Sequence, residues 1–345
     1  MKTGIIKDPR YMEHDMGSFH VESPRRLDVI YRMLDQEFTF PLEHIEPRAA
    51  AKEELEMIHD EAYVKRIKET SGKGRVVLDP DTSTSARSYE VACLAAGGVM
   101  NLSDAVIDQK VHNGFALVRP PGHHAEAGQS MGFCLFNNIA IAAEHLIRKH
   151  GLERILIVDW DLHHGNGTQN SFYTRRDVMY FSTHQYPHYP GTGHWSETGR
   201  GEGEGFTVNV PLSAGKTDAD YLYAFDTVLT PIARAFKPEF ILVSAGFDIY
   251  NSDPLGGMQV TGEGFGALTR LLMSLAGETA EKRILFALEG GYDLQGLKEG
   301  VYNVLLQLTE NAEPPVIAEK ASPVTERELG SVLSAQKKYW PLDHS

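Results

Sequence analysis

Short apolar runs alternate with amphipathic stretches along most of this chain. From residue 115 onwards, runs rich in β-branched and aromatic residues recur and are typical of buried strands. Between several of them, apolar residues recur at helical spacing, as in 222–236. The predicted strands cover 115–119, 154–160, 178–183, 206–210, 239–245 and 283–289. This alternation predicts an α/β fold with a mainly parallel central sheet flanked by helices on both faces.

Caps and composition predict the remaining elements. Ser23 and Pro24 suit the N-cap and first position of a helix whose apolar stripe begins at Leu27. Pro231 is expected to kink the helix around it. Other predicted elements are a charged surface helix over 52–70, a long loop over 71–90, an Ala-rich helix over about 85–110, and a polar tail over about 311–345 with room for a short helix. The chain shows no linker composition, so a single domain over 1–345 is predicted.

Composition and charge narrow the class of protein. The 345 residues are 42% hydrophobic, enough for a large core, and the net charge of −14 disfavours direct binding to nucleic acid backbones. The two cysteines, Cys93 and Cys134, exclude a disulfide framework and favour a reducing compartment. The N-terminus lacks a signal-peptide run, and no segment approaches the roughly 20 apolar residues of a membrane span. A soluble, cytoplasmic protein that does not bind membranes is expected.

The stretch 155–167 carries the strongest chemical signal. Four apolar residues are followed at once by Asp159, Asp161 and His163, at a spacing of two. Residues i and i+2 of an extended chain share a face, so these side chains are predicted to leave one strand end on the same side. Gly165 and Gly167 then permit a sharp turn. Such a cluster after a buried strand indicates a metal or catalytic site.

The ends of the other predicted strands also carry chemically active residues. Ligands of open parallel sheets bind at the carboxyl ends of strands, so these residues should converge. They are His123 and His124 after 115–119, His184 and Tyr189 after 178–183, Asp248 after 239–245 and Tyr292 after 283–289. Asp161, His163 and Asp248 give the three-ligand pattern of a catalytic zinc site. Because two of the three ligands are carboxylates, iron(II) or another divalent ion is also a candidate for the site.

The paired histidines suggest the proton chemistry. A histidine beside a metal site is a candidate general base, and Asp159 and Asn166 are polar groups that could orient the two rings through Nδ1. A phenol at Tyr292, following two glycines, could donate to a developing oxyanion. Each of these residues alone would also fit a structural role, as a hydrogen-bonded core histidine or a packed tyrosine.

Five motifs together resemble the zinc-dependent histone deacetylase superfamily, which includes acetylpolyamine amidohydrolases and acetoin-utilisation proteins. The resemblance covers about 17–310, leaving 311–345 as a tail, and it is closest to class II because Asn166 stands where class I has aspartate. The motifs lie at 119–124, 132–138, 159–167, 244–248 and 289–292. The resemblance implies the fold shared by arginases and deacetylases. It also implies hydrolysis of acetyl or other short acyl groups from acyl-lysine side chains of a protein or peptide, or from a small acylated amine.

The resemblance also implies a role for each residue. Zinc would be held by Asp161, His163 and Asp248. His124 would be the general base, with His123 as its electrostatic partner. The remaining implied roles are orientation of His123 by Asp159 and of His124 by Asn166, oxyanion stabilisation by Tyr292, a tunnel lined by Gly132, Phe133 and Tyr189, and an acetate exit channel at Arg26. Implied potassium sites are Asp159, Asp161, His163, Ser182 and Thr183 for one ion, and Phe172, Arg175 and Val178 for another.

One position bears on the choice of substrate. Polyamine-selective relatives place a glutamate after the Asp-Pro of the zinc-aspartate loop, whereas here Asp253 and Pro254 are followed by Leu255. A leucine cannot pair with a distant ammonium group, which favours acyl-lysine over acetylpolyamine substrates.

Two rival interpretations remain. A ureohydrolase of the arginase type would need further carboxylates for a second metal, and the matching positions carry Gly165 and Tyr250. A non-catalytic acyl-ligand sensor on the same fold would not need the full set of ligands and base. The sequence leaves the physiological substrate, the acyl length and the oligomeric state open.

Overall fold

An eight-stranded, all-parallel sheet forms the centre of the computed structural model, which describes residues 1–313 and 315–342. The strands run in the order β2-β1-β5-β10-β9-β6-β7-β8. They are β1 (Thr3–Ile6), β2 (Glu43–His44), β5 (Asn113–Ala116), β6 (Ile155–Asp159), β7 (Val178–Gln185), β8 (Thr207–Leu212), β9 (Phe240–Ala245) and β10 (Ile284–Leu288), while β3 (Val76–Val77) and β4 (Ser83–Thr84) form a separate antiparallel pair. The predicted fold class is confirmed.

Helices surround this sheet in two groups. They are α1 (Arg25–Gln36), α2 (Lys52–Leu55), α3 (Glu61–Lys68), α4 (Ser88–Ile107), α5 (Asn138–His150), α6 (Asn166–Phe172), α7 (Asp218–Ala224), α8 (Thr230–Phe236), α9 (Gly262–Thr279), α10 (Leu294–Leu308) and α11 (Pro323–Gln336). In one group α5 contacts α2, α4 and α6; in the other α9 contacts α7, α8 and α10, α10 contacts α1, and α11 contacts α7. The two groups give the helical layers predicted by the alternation of strands and helices. The central strands β6, β9 and β10 are buried along their whole length.

The first two strands of the sheet were not predicted. β1 has only four residues and β2 has two exposed ones, so neither shows a readable period. The predicted loop over 71–90 also holds more structure than expected, because β3 and β4 pair within it and α4 begins at Ser88. The charged segment 52–70 is split into α2 and α3 rather than forming one helix.

Pro231 lies inside one continuous helical stretch from Asp218 to Phe236, as the prediction of a proline within a helix assumed. A π-helical turn over Phe225–Leu229 joins α7 to α8 directly before the proline, so the regular α-helical hydrogen bonding is interrupted there. The interruption therefore falls just before the proline.

Helix α4 contradicts the prediction that no segment approaches the apolar length of a membrane span. Over its 20 residues it is long and apolar enough to cross a membrane, with a mean hydropathy of 1.3, although 78% of the apolar window is buried inside the protein. It packs against α5 and the strands β1 and β5. These contacts show that α4 is a core helix of the helical layer packed on the sheet.

The C-terminal tail is partly ordered against the sheet. Helix α11 packs on β8, and Gln336 Nε2 donates to the carbonyl of Thr207 at 2.8 Å. Trp340 Nε1 donates to the carbonyl of Gly205 at 2.7 Å. Residues 314 and 343–345 of the predicted tail lie outside the described residues.

Candidate active site

Three buried side chains converge at the carboxyl ends of β6 and β9. Ligand atoms of Asp161, His163 and Asp248 all lie within 4.8 Å of one another. His163 Nδ1 is 3.1 Å from Asp161 Oδ1 and 3.2 Å from Asp248 Oδ2. The strands bring these residues together because β6 and β9 are parallel neighbours, with Asp159 beside Ser244 in register. The predicted metal ligands therefore form one cluster.

Main-chain groups fix the two carboxylates. Asp161 Oδ2 accepts a hydrogen bond from the N–H of Gly290 at 2.9 Å, and Asp248 Oδ1 accepts one from the N–H of Leu162 at 2.9 Å. A Cβ at residue 290 would lie 2.2 Å from Asp248 Oδ2, so only glycine allows this approach. The carboxylates are thus held by backbone N–H groups at two different strand ends, those of β6 and β10, which makes their positions rigid.

The charge on this cluster fits a divalent cation. Burial and the neighbouring Asp161 carboxylate raise the pKa of Asp248 to about 7. Among the described residues, Asp248 Oδ2 has no hydrogen-bond donor although it is buried. An unpaired buried carboxylate oxygen costs free energy unless a cation compensates it. Two carboxylate oxygens and one imidazole nitrogen also match the ligand types of zinc.

His123 is paired with a carboxylate that favours its charged form. Its Nδ1 donates to Asp159 Oδ2 at 3.1 Å, and the hydroxyl of Tyr180 donates to the same oxygen at 3.0 Å. Burial opposes the charged imidazolium, but the carboxylates of Asp161 and Asp159 outweigh it and raise the pKa of His123 to about 10. His123 and Asp159 are therefore hydrogen-bonded, and the orienting role of Asp159 stays a prediction.

His124 has the opposite electrostatic environment. Burial and the adjacent charge of His123 hold the pKa of His124 well below its usual range. Its Nδ1 lies 2.7 Å from Asn166 Oδ1, while Asn166 Nδ2 donates to Glu126 Oε1 at 2.5 Å. The amide orientation makes Oδ1 an acceptor, so the neutral ring carries its proton on Nδ1. The unprotonated Nε2 is then available as a base.

A buried carboxylate that was not assigned a role holds the histidine loop. Glu289 Oε2 accepts hydrogen bonds from the N–H groups of Gly122 at 2.6 Å and His123 at 3.1 Å. Burial raises the pKa of Glu289 to about 7. Its contacts join residues more than 160 positions apart, so no local pattern could reveal them.

The loop that presents Tyr292 is held from two sides. Asp253 Oδ2 accepts from the N–H of Tyr292 at 2.6 Å, and the Arg26 guanidinium lies 5.0 Å from the centre of the Tyr292 ring. Arg26 is fully buried and its Nε donates to the carbonyl of Gly291 at 2.7 Å. Burial raises the pKa of Tyr292 well above its usual value, so its hydroxyl stays protonated and can donate. Arg26 thus supports this loop, and its implied role in an acetate channel stays a prediction.

A cavity of about 260 Å³ lies above the cluster. His124 and His163 form its floor, and Tyr292 belongs to its wall. Its other lining residues are Asp81, Gly132, Phe133, His188, Tyr189 and Leu255. The resemblance implied a tunnel lined by Gly132, Phe133 and Tyr189 and a role in substrate choice for Leu255, whereas Asp81 and His188 had no predicted role. Larger surface concavities, one of about 590 Å³ beside Trp340, lack this convergence of base and metal ligands.

The two additional wall residues come from loops. Asp81 Oδ1 accepts from the N–H of Gly132 at 3.2 Å, and the ring of His188 stacks on His163 with centroids 5.3 Å apart. The motif Asp79-Pro80-Asp81 and the histidine in 186–189 are visible in the sequence, but nothing local tells that they face the same cavity. Gly132 is required where it stands, since its φ is +56° and a Cβ would lie 2.2 Å from His124 Cδ2.

The residues of the first implied potassium site lie beside the metal cluster, because Asp159 pairs with Ser182 in adjacent strands; Ser182 Oγ lies 2.9 Å from His184 Nδ1. The second set lies towards the other end of the strands, since Val178 begins β7 and pairs with Ile155 at the start of β6. Phe172 ends α6, and the N–H of Arg175 donates to its carbonyl at 2.9 Å. The potassium assignments stay predictions.

The positions that would supply a second metal carry no carboxylate. Gly165 lies against Asp159, since a Cβ there would be 2.4 Å from its Oδ2, and Tyr250 donates its hydroxyl to Glu299 at 2.9 Å. The arrangement disfavours the two-metal ureohydrolase alternative.

Comparisons with known proteins agree with this geometry. Residues 20–308 match the histone deacetylase domain family. A probable deacetylase of Archaeoglobus fulgidus is 40% identical over 86% of this chain and 83% of its own length. The polyamine deacetylase HDAC10 of Homo sapiens is 41% identical over 93% of this chain and 49% of its own length, so the chain spans about half of that relative.

A solved structure extends the similarity to three dimensions. The crystal structure of the HDA15 HD domain superposes with a TM-score of 0.92 at 38% identity, covering 99% of this chain and 95% of that one. The family match and these relatives show that the chain belongs to the zinc-dependent histone deacetylase family and carries its hydrolase domain.

Proposed function

We propose that this protein hydrolyses the amide of acyl-lysine side chains in proteins or peptides. The observation that carries the proposal is the neutral His124, with a free Nε2, at the floor of a narrow cavity beside the cluster of Asp161, His163 and Asp248. A base, a cation-binding cluster and a phenol donor in one cavity suit hydrolysis of an unactivated amide.

The cluster Asp161, His163 and Asp248 would hold one zinc ion. When bound, zinc supplies a Lewis acid for the acyl carbonyl and lowers the pKa of a water molecule. The proposal rests on the donor set and on the uncompensated oxygen of Asp248. Iron(II) remains an alternative for the same ligands.

The chain's own residues would then move the proton. His124 Nε2 takes a proton from the attacking water and returns it to the leaving amine, because its Nδ1–H is held by Asn166. The charged His123 favours the negative charge that develops on the acyl oxygen, and the hydroxyl of Tyr292 donates to that oxygen. The rings of Phe133 and Tyr189 flank the cavity and exclude water from the acyl chain.

Leu255 supports acyl-lysine over acetylpolyamine. It lines the cavity without a charge for a distal ammonium group, and its N–H donates to Asp253 Oδ1 at 3.0 Å, which joins its position to the Tyr292 loop. A second candidate function is deacetylation of a small acylated amine. It is favoured by the carboxylate of Asp81 on the cavity wall and by the 41% identity to a polyamine deacetylase.

A turnover panel tests these proposals. The purified protein would be assayed on an acetyl-lysine peptide, longer acyl-lysine peptides and N8-acetylspermidine, with Asp161→Ala as the inactive control. We expect the acetyl-lysine peptide to give the highest kcat/KM. A higher value for acetylspermidine would replace the first candidate by the second. Ligand binding without turnover on every substrate would favour the non-catalytic sensor.

We also propose three properties from the resemblance and the composition. The resemblance supports two potassium ions, one at Asp159, Asp161, His163, Ser182 and Thr183 and one at Phe172, Arg175 and Val178. Both cysteines are free and buried, which supports a reducing compartment such as the cytoplasm. The net charge of −14 supports the absence of direct nucleic acid binding.

A further inference from the structure

A second group of metal-competent side chains lies where α4 and α5 end. Asp104 belongs to the last turn of α4, and His145 and His150 belong to the C-terminal half of α5. Ligand atoms of the three residues lie within 4.8 Å of one another. Nε2 of His145 is 2.8 Å from Asp104 Oδ1, and Nε2 of His150 is 2.7 Å from the same oxygen. Three donor atoms therefore face one point.

The environment of this group suits a bound cation. The side chains of Asp104 and His150 are each 15% exposed and that of His145 is 6% exposed, so solvent reaches the group from one side. Two helices of 20 and 13 residues end here, and the C-terminal end of a helix favours positive charge. Both helices are packed against each other, so the three side chains are held on a rigid support.

We propose that Asp104, His145 and His150 form a second, non-catalytic site for one borderline divalent transition metal ion such as Zn²⁺ or Ni²⁺. Two imidazole nitrogens and one carboxylate oxygen are ligands that such ions prefer, and three protein ligands leave positions for water. The ion takes the place of the Nε2 protons that the histidines share with Asp104 Oδ1; each imidazole binds as the Nδ1–H tautomer, and any further proton is released to solvent. It ties the end of α4 to the end of α5.

One neighbouring cation competes with this ion. Lys149 Nζ lies 2.7 Å from Asp104 Oδ2, and its side chain is 52% exposed. The ammonium group occupies the carboxylate oxygen that the histidines leave free and repels an incoming cation. Because the pair is exposed to solvent, its attraction is weak and the lysine can turn outwards. Removal of this charge should therefore tighten metal binding.

The site acts on stability rather than on turnover. The start of α5 supports the catalytic loop, since Asn138 Nδ2 donates to the carbonyl of Pro120 at 3.0 Å. The metal-competent group lies at the other end of this 13-residue helix, roughly 20 Å away at 1.5 Å per residue. An ion there binds the folded chain and raises its melting temperature by mass action. The proposal does not depend on the proposed catalytic function.

Metal titration of a tag-free chain tests the proposal. Ni²⁺ binding would be followed by native mass spectrometry and calorimetry in the Asp161→Ala background and in Asp161→Ala/His150→Ala. We expect one Ni²⁺ per chain in the first and its loss in the second. The exposed His112→Ala serves as a matched control and should keep the ion. X-ray absorption should show two imidazoles on the bound nickel.

One further variant and a folding control keep the test decisive. Lys149→Gln should tighten Ni²⁺ binding by about 1.5- to 5-fold, the range expected for removing an exposed ion pair. Circular dichroism without metal shows whether each variant is folded. His150 is substituted rather than His145 because it is more exposed, so its loss should disturb the fold less. Equal nickel binding with and without the His150 side chain, or no tightening in Lys149→Gln, overturns the proposal.

Discussion

The floor and the mouth of the cavity are built in different ways. At the floor, His124 and His163 rest on Asp161 and Asp248, which are fully buried and whose oxygens are fixed by backbone N–H groups at strand ends. At the mouth, Tyr189 is 37% exposed and Leu255 is half-buried, and both stand on loops. The floor positions charge, whereas the mouth offers side-chain surface.

This difference separates reaction from substrate choice. Substitution at the floor leaves a buried charge without a partner, so its effects on turnover should be large. Substitution at the mouth changes contacts that solvent partly screens, so its effects should be small and should differ between substrates. The same floor can therefore serve substrates as different as acyl-lysine and acylated polyamines. The following substitutions, ordered from the floor to the mouth, test that separation.

Loss of a metal ligand should have the largest effect. Asp161→Ala or Asp248→Ala should abolish metal binding at the floor and reduce turnover to the background rate, because the remaining ligands cannot hold the ion. Elemental analysis and kcat on an acetyl-lysine peptide measure both. The His150→Ala background removes the second proposed site from the count. Two tightly bound transition metals per chain in that background would contradict a mononuclear floor, and the absence of any hydroxamate inhibition would contradict an accessible zinc.

Loss of the base should come next. His124→Ala should lower kcat by about 10²- to 10⁴-fold with little change in KM, because proton transfer is exercised in the transition state. His188→Ala, a neighbouring cavity histidine, serves as the control and should lose far less. Near-normal turnover by His124→Ala would assign the base elsewhere.

Removal of the charge beneath the histidine loop should have an intermediate effect. Glu289→Gln keeps an acceptor of similar shape but weakens the charge-assisted hydrogen bonds from Gly122 and His123. Such bonds contribute roughly 1.5–3 kcal/mol. In an assay well above the Glu289 pKa of about 7, where the carboxylate is ionised, kcat should therefore fall by about 10- to 100-fold while the metal content and KM stay unchanged. Steady-state kinetics with metal analysis give the comparison. A fall in stability with unchanged kcat would show that Glu289 supports the fold and not the position of His123.

A substitution at the mouth should have the smallest effect. Leu255→Glu adds a carboxylate that can pair with a distal ammonium, and it should shift the preference towards N8-acetylspermidine. Because Leu255 is half-buried, the pair should contribute about 1 kcal/mol or less. The ratio of kcat/KM values should therefore change a few-fold, whereas kcat on the acetyl-lysine peptide should hardly change.

The control for this substitution is the wild-type ratio at one ionic strength. The acidic surface attracts both cationic substrates, so it should not choose between them. If the wild-type chain already prefers acetylspermidine, the argument from Leu255 is wrong. Asp81, on the opposite loop of the same cavity, then becomes the residue to substitute with asparagine.

The sequence by itself determined the class of fold and the floor of the site. The apolar runs at β6, β9 and β10 mark strands that are buried on both faces, and each run can be read from a few consecutive residues. Because parallel strands end at one edge, Asp161, His163 and Asp248 were predicted to meet without any knowledge of the contacts. The family motifs then supplied the roles of the two histidines.

Only the tertiary structure decided the loops and the long-range contacts. Asp81 reaches Gly132 across 51 residues, and Glu289 reaches Gly122 across 167, through chain segments that have no period. The cluster of Asp104, His145 and His150 depends on how α4 packs against α5, which neither helix encodes alone. A local pattern fixes the face from which a side chain leaves its own strand or helix. Which side chains meet is fixed by packing between elements that are distant in the chain.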